Sequence, residues 1–447
     1  LHLLSRRQRQ MCIRDRNKAM LELRRNGGGP VHINLITTYS RDFSVKELPH
    51  VKVMRRFQAW DELPVLPEGR IGIYVGSHTH FSEKQNRAID RFCATYDAVV
   101  ICDHTSGYYG KYKLLPTLVQ LQSDITSPFP PLDLMVHIGE ISAASFNDTI
   151  PAKEVWRVSE DGELRDPFKK LTTVFQMSEE MFFLHYGKDG CNRHVLIDEC
   201  RELFGEIYEQ IPELPFCNIW TAMQLSSRLP KGALFHMGVS NTRRCWNMFQ
   251  LPESVESACN VGCCGIDGCV STLVGASLVN PDRLCYVVVG DLTFFYDLNS
   301  LGNHHIGTNL RVMLVNNGRG TEFRLGIHHC NVFGDDADKY MAAAGHFGNK
   351  SPLLVKHYAE DLGFHYLSAT TKEEFMTALS NFTNPQLSDH SMILEVFTDS
   401  KDESEALYLM SHIQSDAKGM VRSKLKDAVR NVAGEKGINA IKKILKK

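Results

Sequence analysis

Two polar side chains follow apolar runs of the chain at positions suited to metal coordination. Asp291 comes directly after the run CYVVVG, and Asn317 closes the pair that follows LRVMLV. Both runs are predicted to be buried strands, and in an open parallel sheet ligands bind beyond the carboxyl ends of the strands. The 26 positions from Asp291 to Asn317 leave room for one helix and its loops. The two side chains are therefore expected to meet at one site.

The chemistry predicted for this site is the binding of a metal ion and a diphosphate. Carboxylate and amide oxygens are hard donors suited to Mg²⁺, which completes its shell with water and substrate phosphates. Gly290 would leave room for a diphosphate, and a helix beginning near Leu292 and Thr293 would offer N–H groups to it. The alternative is that Asp291 only caps a helix and that Asn317 only forms a turn.

The elements that would position these residues alternate between strands and helices. One series covers residues 47–215, with strands predicted in RIGIYVGS, DAVVICDH and LDLMVHIGE and a helix after Ser82. A second series covers residues 216–417 and contains the two runs above. This alternation predicts an α/β fold of two doubly wound parallel-sheet domains. The first series has neither a GxGxxG nor a GxxxxGK[ST] motif, so no nucleotide site is expected there.

Two consecutive N-terminal segments have different predicted origins. Residues 1–16 begin without Met and lack the apolar core of a signal peptide, and are predicted to be a non-native leader. Residues 17–46 are interpreted as a helix end, a glycine stop and a strand over 31–35, the last part of a further domain. The chain is therefore expected to be a fragment that is truncated at its N-terminus.

Composition narrows the classes of protein that the chain can represent. The hydrophobic fraction is 43% and the charged fraction 23%, which is typical of a soluble globular protein, and no apolar run is long enough to span a bilayer. Thirteen cysteines scattered singly through apolar runs indicate reduced thiols and a cytoplasmic location. The densest group, over residues 259–269, lacks the paired spacing of a structural zinc site.

The charge is concentrated at the C-terminus. Residues 418–447 carry ten Lys or Arg against two acidic residues, a local net charge of +8, so the rest of the chain carries −10 of the total of −2. The acidic body argues against nucleic acid binding. The tail is predicted to be an amphipathic helix packed on a dimer, and contact with an anionic membrane surface is the alternative.

The motifs together resemble a known enzyme family. GDL followed by NNGRG is similar to the signature of thiamine diphosphate-dependent enzymes, and GDLTFFYDLNSL and GIDGCVSTLVG resemble 2-succinyl-5-enolpyruvyl-6-hydroxy-3-cyclohexene-1-carboxylate synthase of menaquinone biosynthesis. GPVHINL looks like the end of the pyrimidine-binding domain of that superfamily. The resemblance implies thiamine diphosphate and Mg²⁺ as cofactors.

The resemblance also implies roles for individual residues. The metal ligands would be Asp291, Asn317 and the backbone carbonyl of Arg319. Ile266 would hold the cofactor in its bent conformation, although an ordinary core isoleucine is the alternative. The positions implied to contact the cofactor are Ile266, Gly268, Gly290, Asp291, Leu292, Thr293 and Asn317.

The substrate positions match the family only in part. Ser240 and Arg244 in GVSNTRR match substrate-contacting residues, and an arginine can hold a carboxylate with two hydrogen bonds. Val261 stands where the family has an arginine that grips the substrate, and Val239 stands where it has asparagine. The loss of one carboxylate contact argues against isochorismate as the acceptor.

The implied reaction is decarboxylation or carboligation of a 2-oxo acid by a transferase or lyase that is at least a homodimer or tetramer. In the superfamily, a glutamate of the pyrimidine-binding domain activates the cofactor; it has no match here, so the catalytic residues stay unassigned and the fragment is expected to be inactive alone. Two alternatives remain open: an acetolactate-synthase-like 2-oxo acid lyase, and a non-catalytic protein that binds thiamine diphosphate.

Overall fold

The computed structural model describes most of the chain in seven segments. They are residues 14–34, 53–125, 129–140, 150–262, 264–326, 328–336 and 350–416. Three predictions lie wholly or largely outside the described residues: the leader, of which only 14–16 are described, the helix predicted from DADKYMAAAGHFG over 336–348, of which only 336 is described, and the basic helix over 418–447.

The described strands form two sheets in which every pairing is parallel. The first has the order β1-β7-β6-β5-β2-β3-β4 and the second the order β12-β13-β11-β10-β8-β9. The strands are β1 (Arg55–Gln58), β2 (Ile71–Val75), β3 (Val99–Ile101), β4 (Lys113–Leu114), β5 (Leu132–Ile138), β6 (Ala152–Ser159), β7 (Leu171–Gln176), β8 (Leu234–Met237), β9 (Glu256–Cys259), β10 (Cys285–Gly290), β11 (Leu310–Asn316), β12 (His365–Ala369) and β13 (Met392–Phe397).

Helices connect these strands in both sheets. The described part of the chain includes the α-helices Glu83–Tyr96, Thr117–Leu121, Glu179–Tyr186, Val195–Glu209, Asn218–Leu225, Asn241–Trp246, Cys269–Val279, Asp291–Asp297, Leu354–Asp361, Lys372–Phe382 and Ser400–Ser411. A further helical segment covers 14–22. Within the described segments, no helix combines the length and apolar content needed to cross a bilayer.

The central strands are buried along their length, as expected where helices cover both faces of a sheet. Every residue of β2 and of β11 is buried, which is typical of parallel sheets rather than of sheets with one solvated face. The predicted α/β fold with two doubly wound parallel sheets is therefore confirmed.

One predicted strand near the N-terminus is wrong. Residues 31–34 form no strand, and Leu35 lies outside the described residues. Ile33 is 43% exposed, so the apolar side chains here are not covered by a sheet. A strand needs a neighbour to accept its backbone hydrogen bonds, and none of the described strands pairs with this segment.

The two sheets are joined by buried polar contacts. A guanidinium nitrogen of Arg243 lies 3.3 Å from a carboxylate oxygen of Asp103, and both side chains are buried. The backbone N–H of His104 donates to the side-chain oxygen of Asn247 at 3.1 Å. These contacts fix the loop after β3 against the segment that follows β8.

Candidate functional site

The polar ends of β10 and β11 lie side by side. The two strands pair in parallel, and Gly290 is aligned with Val315, so Asp291 is one residue and Asn317 two residues beyond the last pair. Neighbouring strands are about 4.8 Å apart. The structure thus places both side chains at one end of adjacent strands, where an open parallel sheet binds its ligands.

Asp291 begins a helix rather than preceding one. The helix Asp291–Asp297 starts at the aspartate itself, one residue earlier than predicted. The Asp291 side chain is buried, and its Oδ1 accepts a hydrogen bond from the backbone N–H of Leu292 at 2.7 Å. A Cβ added at Gly290 would meet no atom within 4 Å. The backbone of Gly290 therefore borders open space beside the aspartate.

The two asparagines at the end of β11 have different surroundings. Asn316 is buried, and its Nδ2 donates to Oε1 of Glu395 at 2.7 Å. Asn317 is half-buried, and its Oδ1 accepts from the backbone N–H of Arg319 at 3.4 Å. The contacts assign Asn316 to the interior of the sheet and leave Asn317 in the loop.

Glu395 is a residue of this site that the sequence analysis missed. It is buried on β13, and its Oε2 accepts from the hydroxyl of Tyr366 at 2.7 Å. Burial raises the pKa of the Glu395 carboxyl, while the hydrogen bonds from Asn316 and Tyr366 act in the opposite direction. A lone glutamate within the apolar strand MILEVF was the available signal, because a buried carboxyl needs hydrogen-bond partners.

The GIDG segment follows β9 and leads into a helix. Ile266 is half-buried and is not among the side chains of the described hydrophobic cores. Gly268 has φ 76° and precedes the helix Cys269–Val279. The backbone N–H of Ser271 in that helix donates to Oδ2 of Asp297 at 2.7 Å. Asp297, also missed by the sequence analysis, therefore joins the helix after GIDG to the helix that begins at Asp291.

The predicted substrate residues follow β8. Ser240 is exposed and has φ 60° and ψ −119°, a region that residues other than glycine rarely adopt and that costs on the order of 1–3 kcal/mol. Arg244 donates from both terminal nitrogens to Glu322, at 2.9 and 2.6 Å. Burial alone would lower the pKa of the Arg244 guanidinium, but the hydrogen bonds and charge of Glu322 raise it above its ordinary value.

The two positions that depart from the family pattern are apolar and buried. Val239 and Val261 are both buried in the described structure. Neither can donate a hydrogen bond from its side chain to a ligand. Among the positions matched to the family, Arg244 is thus the one with a positively charged side chain that could bind a substrate carboxylate.

All of the predicted site residues follow four neighbouring strands. The strands β11, β10, β8 and β9 are consecutive in the second sheet, and their carboxyl ends lead to Asn317, Asp291, Ser240 and the GIDG segment. Among the described residues, no group of three or more His, Cys, Asp or Glu side chains could hold a metal ion. A metal at this edge would need amide and carbonyl oxygens beside Asp291.

The fold and these strand ends define the chain as an α/β protein of two doubly wound parallel sheets with its polar motifs at one sheet edge. No protein-family model matches the sequence. Over 424 residues the chain is 28% identical to the 2-succinyl-5-enolpyruvyl-6-hydroxy-3-cyclohexene-1-carboxylate synthase of Bacteroides thetaiotaomicron, covering 89% of this chain and 72% of that protein.

Two further synthases of the same name give a similar result. The Bacteroides fragilis protein is 29% identical over 429 residues, with the same coverage of 89% and 72%. The Christiangramia forsetii protein is 33% identical over 199 residues, which cover 44% of this chain and 33% of that protein. The resemblance predicted from the motifs is therefore confirmed over most of the chain.

Proposed function

We propose that this protein binds thiamine diphosphate with Mg²⁺ and acts on a 2-oxo acid as a decarboxylase or carboligase. The observation that carries the proposal is the position of Asp291 and Asn317 at the ends of two paired strands. The similarity to the synthases supports it. Residues 47–215 would be the middle domain and residues 216–417 the domain that binds the diphosphate.

The residues at the sheet edge fit such a group in two respects. A carboxylate from Asp291, an amide oxygen from Asn317 and the carbonyl oxygen of Arg319 form a hard-oxygen donor set of the kind that Mg²⁺ prefers. The open space beside Gly290 would admit a diphosphate against the backbone. The half-buried Ile266 has an exposed part of its side chain available for a cofactor.

Each of these residues would have a distinct task. Asp291, Asn317 and the Arg319 carbonyl would hold the metal, and the backbone near Gly268, Leu292 and Thr293 would bind the cofactor. Bound thiamine diphosphate supplies an electron sink for the carbon–carbon bond cleavage of a 2-oxo acid. Ser240 and Arg244 would orient the substrate. The protein would act as a homodimer or larger oligomer in the cytoplasm.

Calorimetric titration of thiamine diphosphate into the protein, with and without Mg²⁺, tests the proposal. We expect saturable binding that requires Mg²⁺ and that falls at least tenfold in Asp291→Ala, because the variant loses the only charged ligand proposed for the metal. Asp282→Ala removes an exposed aspartate elsewhere and should bind like the wild type. Binding of thiamine diphosphate that depends neither on Mg²⁺ nor on Asp291 would exclude the proposed metal–diphosphate site.

A second candidate is a protein that binds the cofactor without turnover. The buried Val261, in place of an arginine that grips substrate in the family, favours this candidate. Release of CO₂ from a panel of 2-oxo acids separates the two when the protein is loaded with thiamine diphosphate and Mg²⁺ and assayed together with a pyrimidine-binding domain that supplies the activating glutamate. Turnover supports the enzyme, including the acetolactate-synthase-like alternative, whereas tight cofactor binding without CO₂ release supports the non-catalytic protein.

A further inference from the structure

Arg244 already holds a carboxylate that belongs to the chain itself. Its two terminal nitrogens contact the two carboxylate oxygens of Glu322 at 2.9 and 2.6 Å. This is the bidentate geometry in which a guanidinium binds a substrate carboxylate. The contact therefore has the form of the interaction that Arg244 would make with a ligand.

The position of Glu322 relates this contact to the proposed site. Glu322 lies in the short 3₁₀ helix Thr321–Arg324, three residues after the proposed Arg319 carbonyl ligand. Arg244 lies in the helix Asn241–Trp246 that follows β8. Since β8 and β11 flank β10 in the sheet, the ion pair joins the segments on either side of the strand that precedes Asp291.

The ion pair is accessible enough to exchange partners. The side chains of Arg244 and Glu322 are each 22% exposed, whereas Arg243, the preceding residue, is 9% exposed and pairs with an Asp103 side chain that is 2% exposed. The Arg244–Glu322 pair is therefore open to solvent on one side, so a ligand carboxylate can approach Arg244 there, whereas the Arg243 pair is enclosed.

We propose that Glu322 is a specificity-determining residue that competes with ligand carboxylates for Arg244 and so disfavours 2-oxo acids with a charged tail. The inference rests on the proposed function in that it concerns the substrate class of the same site. A tethered carboxylate has a high effective concentration, so a second carboxylate on the substrate must displace it. Because Arg244 is assigned to the tail carboxylate, a 2-oxo acid with an uncharged tail brings no group that must compete with Glu322 there.

The buried valines of the same segments agree with this selectivity. Val239 precedes Ser240, and Val261 precedes the GIDG segment; both are apolar and buried. Neither supplies a second cation that could hold a tail carboxylate once Arg244 is occupied. These two positions therefore add no cation for a tail carboxylate beside Arg244.

Titration of glutarate, an unreactive dicarboxylate, into the full chain tests this inference without turnover. Glu322→Gln removes the competing charge and keeps the size of the side chain, so we expect glutarate to bind about fivefold more tightly than to the wild type. The gain should vanish when Arg244→Gln is added, because a double-mutant cycle isolates the contact between the two residues. Circular dichroism verifies folding, and Glu322→Ser replaces the Gln variant if the latter does not fold.

The matched control is Glu256→Gln. Glu256 forms an ion pair with Arg283 at 2.9 Å on the strand β9, so the variant makes the same chemical change in another Arg–Glu pair and should leave glutarate binding unchanged. A gain that persists in the Arg244→Gln background would mean a general change of potential and would overturn the inference. Unchanged affinity in Glu322→Gln would assign the pair a structural role only and would also overturn it.

A turnover measurement separates failure of the inference from failure of the proposed function. In Glu322→Gln, assayed together with a pyrimidine-binding domain that supplies the activating glutamate, the ratio of kcat/KM for 2-oxoglutarate to that for 2-oxopentanoate, which has the same chain length, should rise about fivefold. Turnover without any change of this ratio contradicts the inference and leaves the proposed function intact. If glutarate binding responds to Glu322→Gln and Arg244→Gln as expected but thiamine diphosphate does not bind, the Arg244–Glu322 competition stands. The proposed thiamine diphosphate function is then rejected.

Discussion

At the scale of single residues, two buried carboxyl groups connect elements around the second sheet through hydrogen bonds. Glu395 anchors Asn316 at the end of β11, and Glu403 lies buried in the helix Ser400–Ser411. Oε1 of Glu403 accepts from the backbone N–H of Asn218 and from the hydroxyl of Thr398, both at 2.9 Å. Burial raises the pKa of Glu403 to about 7, against the opposing effect of these hydrogen bonds.

The raised pKa predicts a pH dependence of stability. In the unfolded chain a glutamate titrates near 4.3, so between that value and about 7 the folded state binds more protons than the unfolded state. The contribution of Glu403 is fully present below the unfolded pKa and is lost as the pH rises through the folded pKa. The wild type should therefore lose stability between about pH 5 and pH 8, in proportion to this shift.

Glu403→Gln should reduce that loss. The amide oxygen can still accept from Asn218 and Thr398, and no buried charge forms at high pH, so the variant should exceed the wild type at pH 8 by on the order of 1–3 kcal/mol. Urea unfolding at a series of pH values measures the difference. Glu405→Gln, an exposed neighbour, should follow the wild-type curve; a parallel pair of curves for wild type and Glu403→Gln would contradict the prediction.

At the scale of elements, local signals identified the central strands and several helix ends. Ser82 was expected to precede a helix, and the helix Glu83–Tyr96 begins there with a capping box formed with Gln85. The strands β1, β4, β7 and β12 are not predicted by the sequence pattern. Three of these, β1, β4 and β12, lie at sheet edges, where partial exposure weakens the apolar pattern that marks a strand.

The capping box gives a prediction for this element. The backbone N–H of Gln85 donates to Oγ of Ser82 at 3.3 Å, and Oε1 of Gln85 accepts from the backbone N–H of Ser82 at 2.9 Å. Ser82→Ala should lower the free energy of unfolding by about 1 kcal/mol, because an N-terminal backbone N–H of the helix loses its acceptor. Thermal or urea unfolding measures it, and Ser82→Asp, which keeps an acceptor, should remain near the wild type.

At the scale of the whole molecule, the C-terminal part of the described chain is fastened to the first sheet. Nε2 of Gln122 donates to the carbonyl of Met410 at 2.8 Å. Its Oε1 accepts from the backbone N–H groups of Ile413 and Gln414, at 3.1 and 3.2 Å. Gln122 is buried, so one side chain satisfies three backbone groups that lie almost 300 positions away in sequence.

Replacement of Gln122 tests this connection. Gln122→Leu keeps the volume but leaves those backbone groups without the side chain that pairs them, and should lower the free energy of unfolding by about 3 kcal/mol. Hydrogen exchange should show faster exchange at the amides of Ile413 and Gln414. Equal protection in variant and wild type would show that the segment is held by other contacts.

Gln120, in the helix Thr117–Leu121 that ends just before Gln122, provides the control. It is also buried, but its Nε2 and Oε1 have no hydrogen-bond partner within the described structure. Gln120→Leu makes the same chemical change without breaking a bond, so its free energy of unfolding should stay the same or increase, because an unpaired buried amide is costly. Comparable destabilisation in both variants would indicate a general intolerance of leucine in this helix.

The sequence by itself determined the features that depend on neighbouring residues. Apolar runs identified most of the strands, and the polar residues that end β10 and β11 identified the edge at which a ligand would bind, because parallel strands of one sheet end together. The family resemblance came from the same short motifs. These features are local, so their residues stand close together in the sequence.

Only the tertiary structure decided which side chains satisfy one another. Arg244 pairs with a glutamate 78 positions away, Asn316 bonds to Glu395 at a distance of 79 positions, and Gln122 bonds to backbone groups near residue 413. The periodicity of apolar residues in the sequence does not predict such pairs, because they depend on the order of the strands in the sheet. Most buried polar groups are nevertheless hydrogen-bonded, and at this sheet edge their partners determine how the strand ends are arranged around the site.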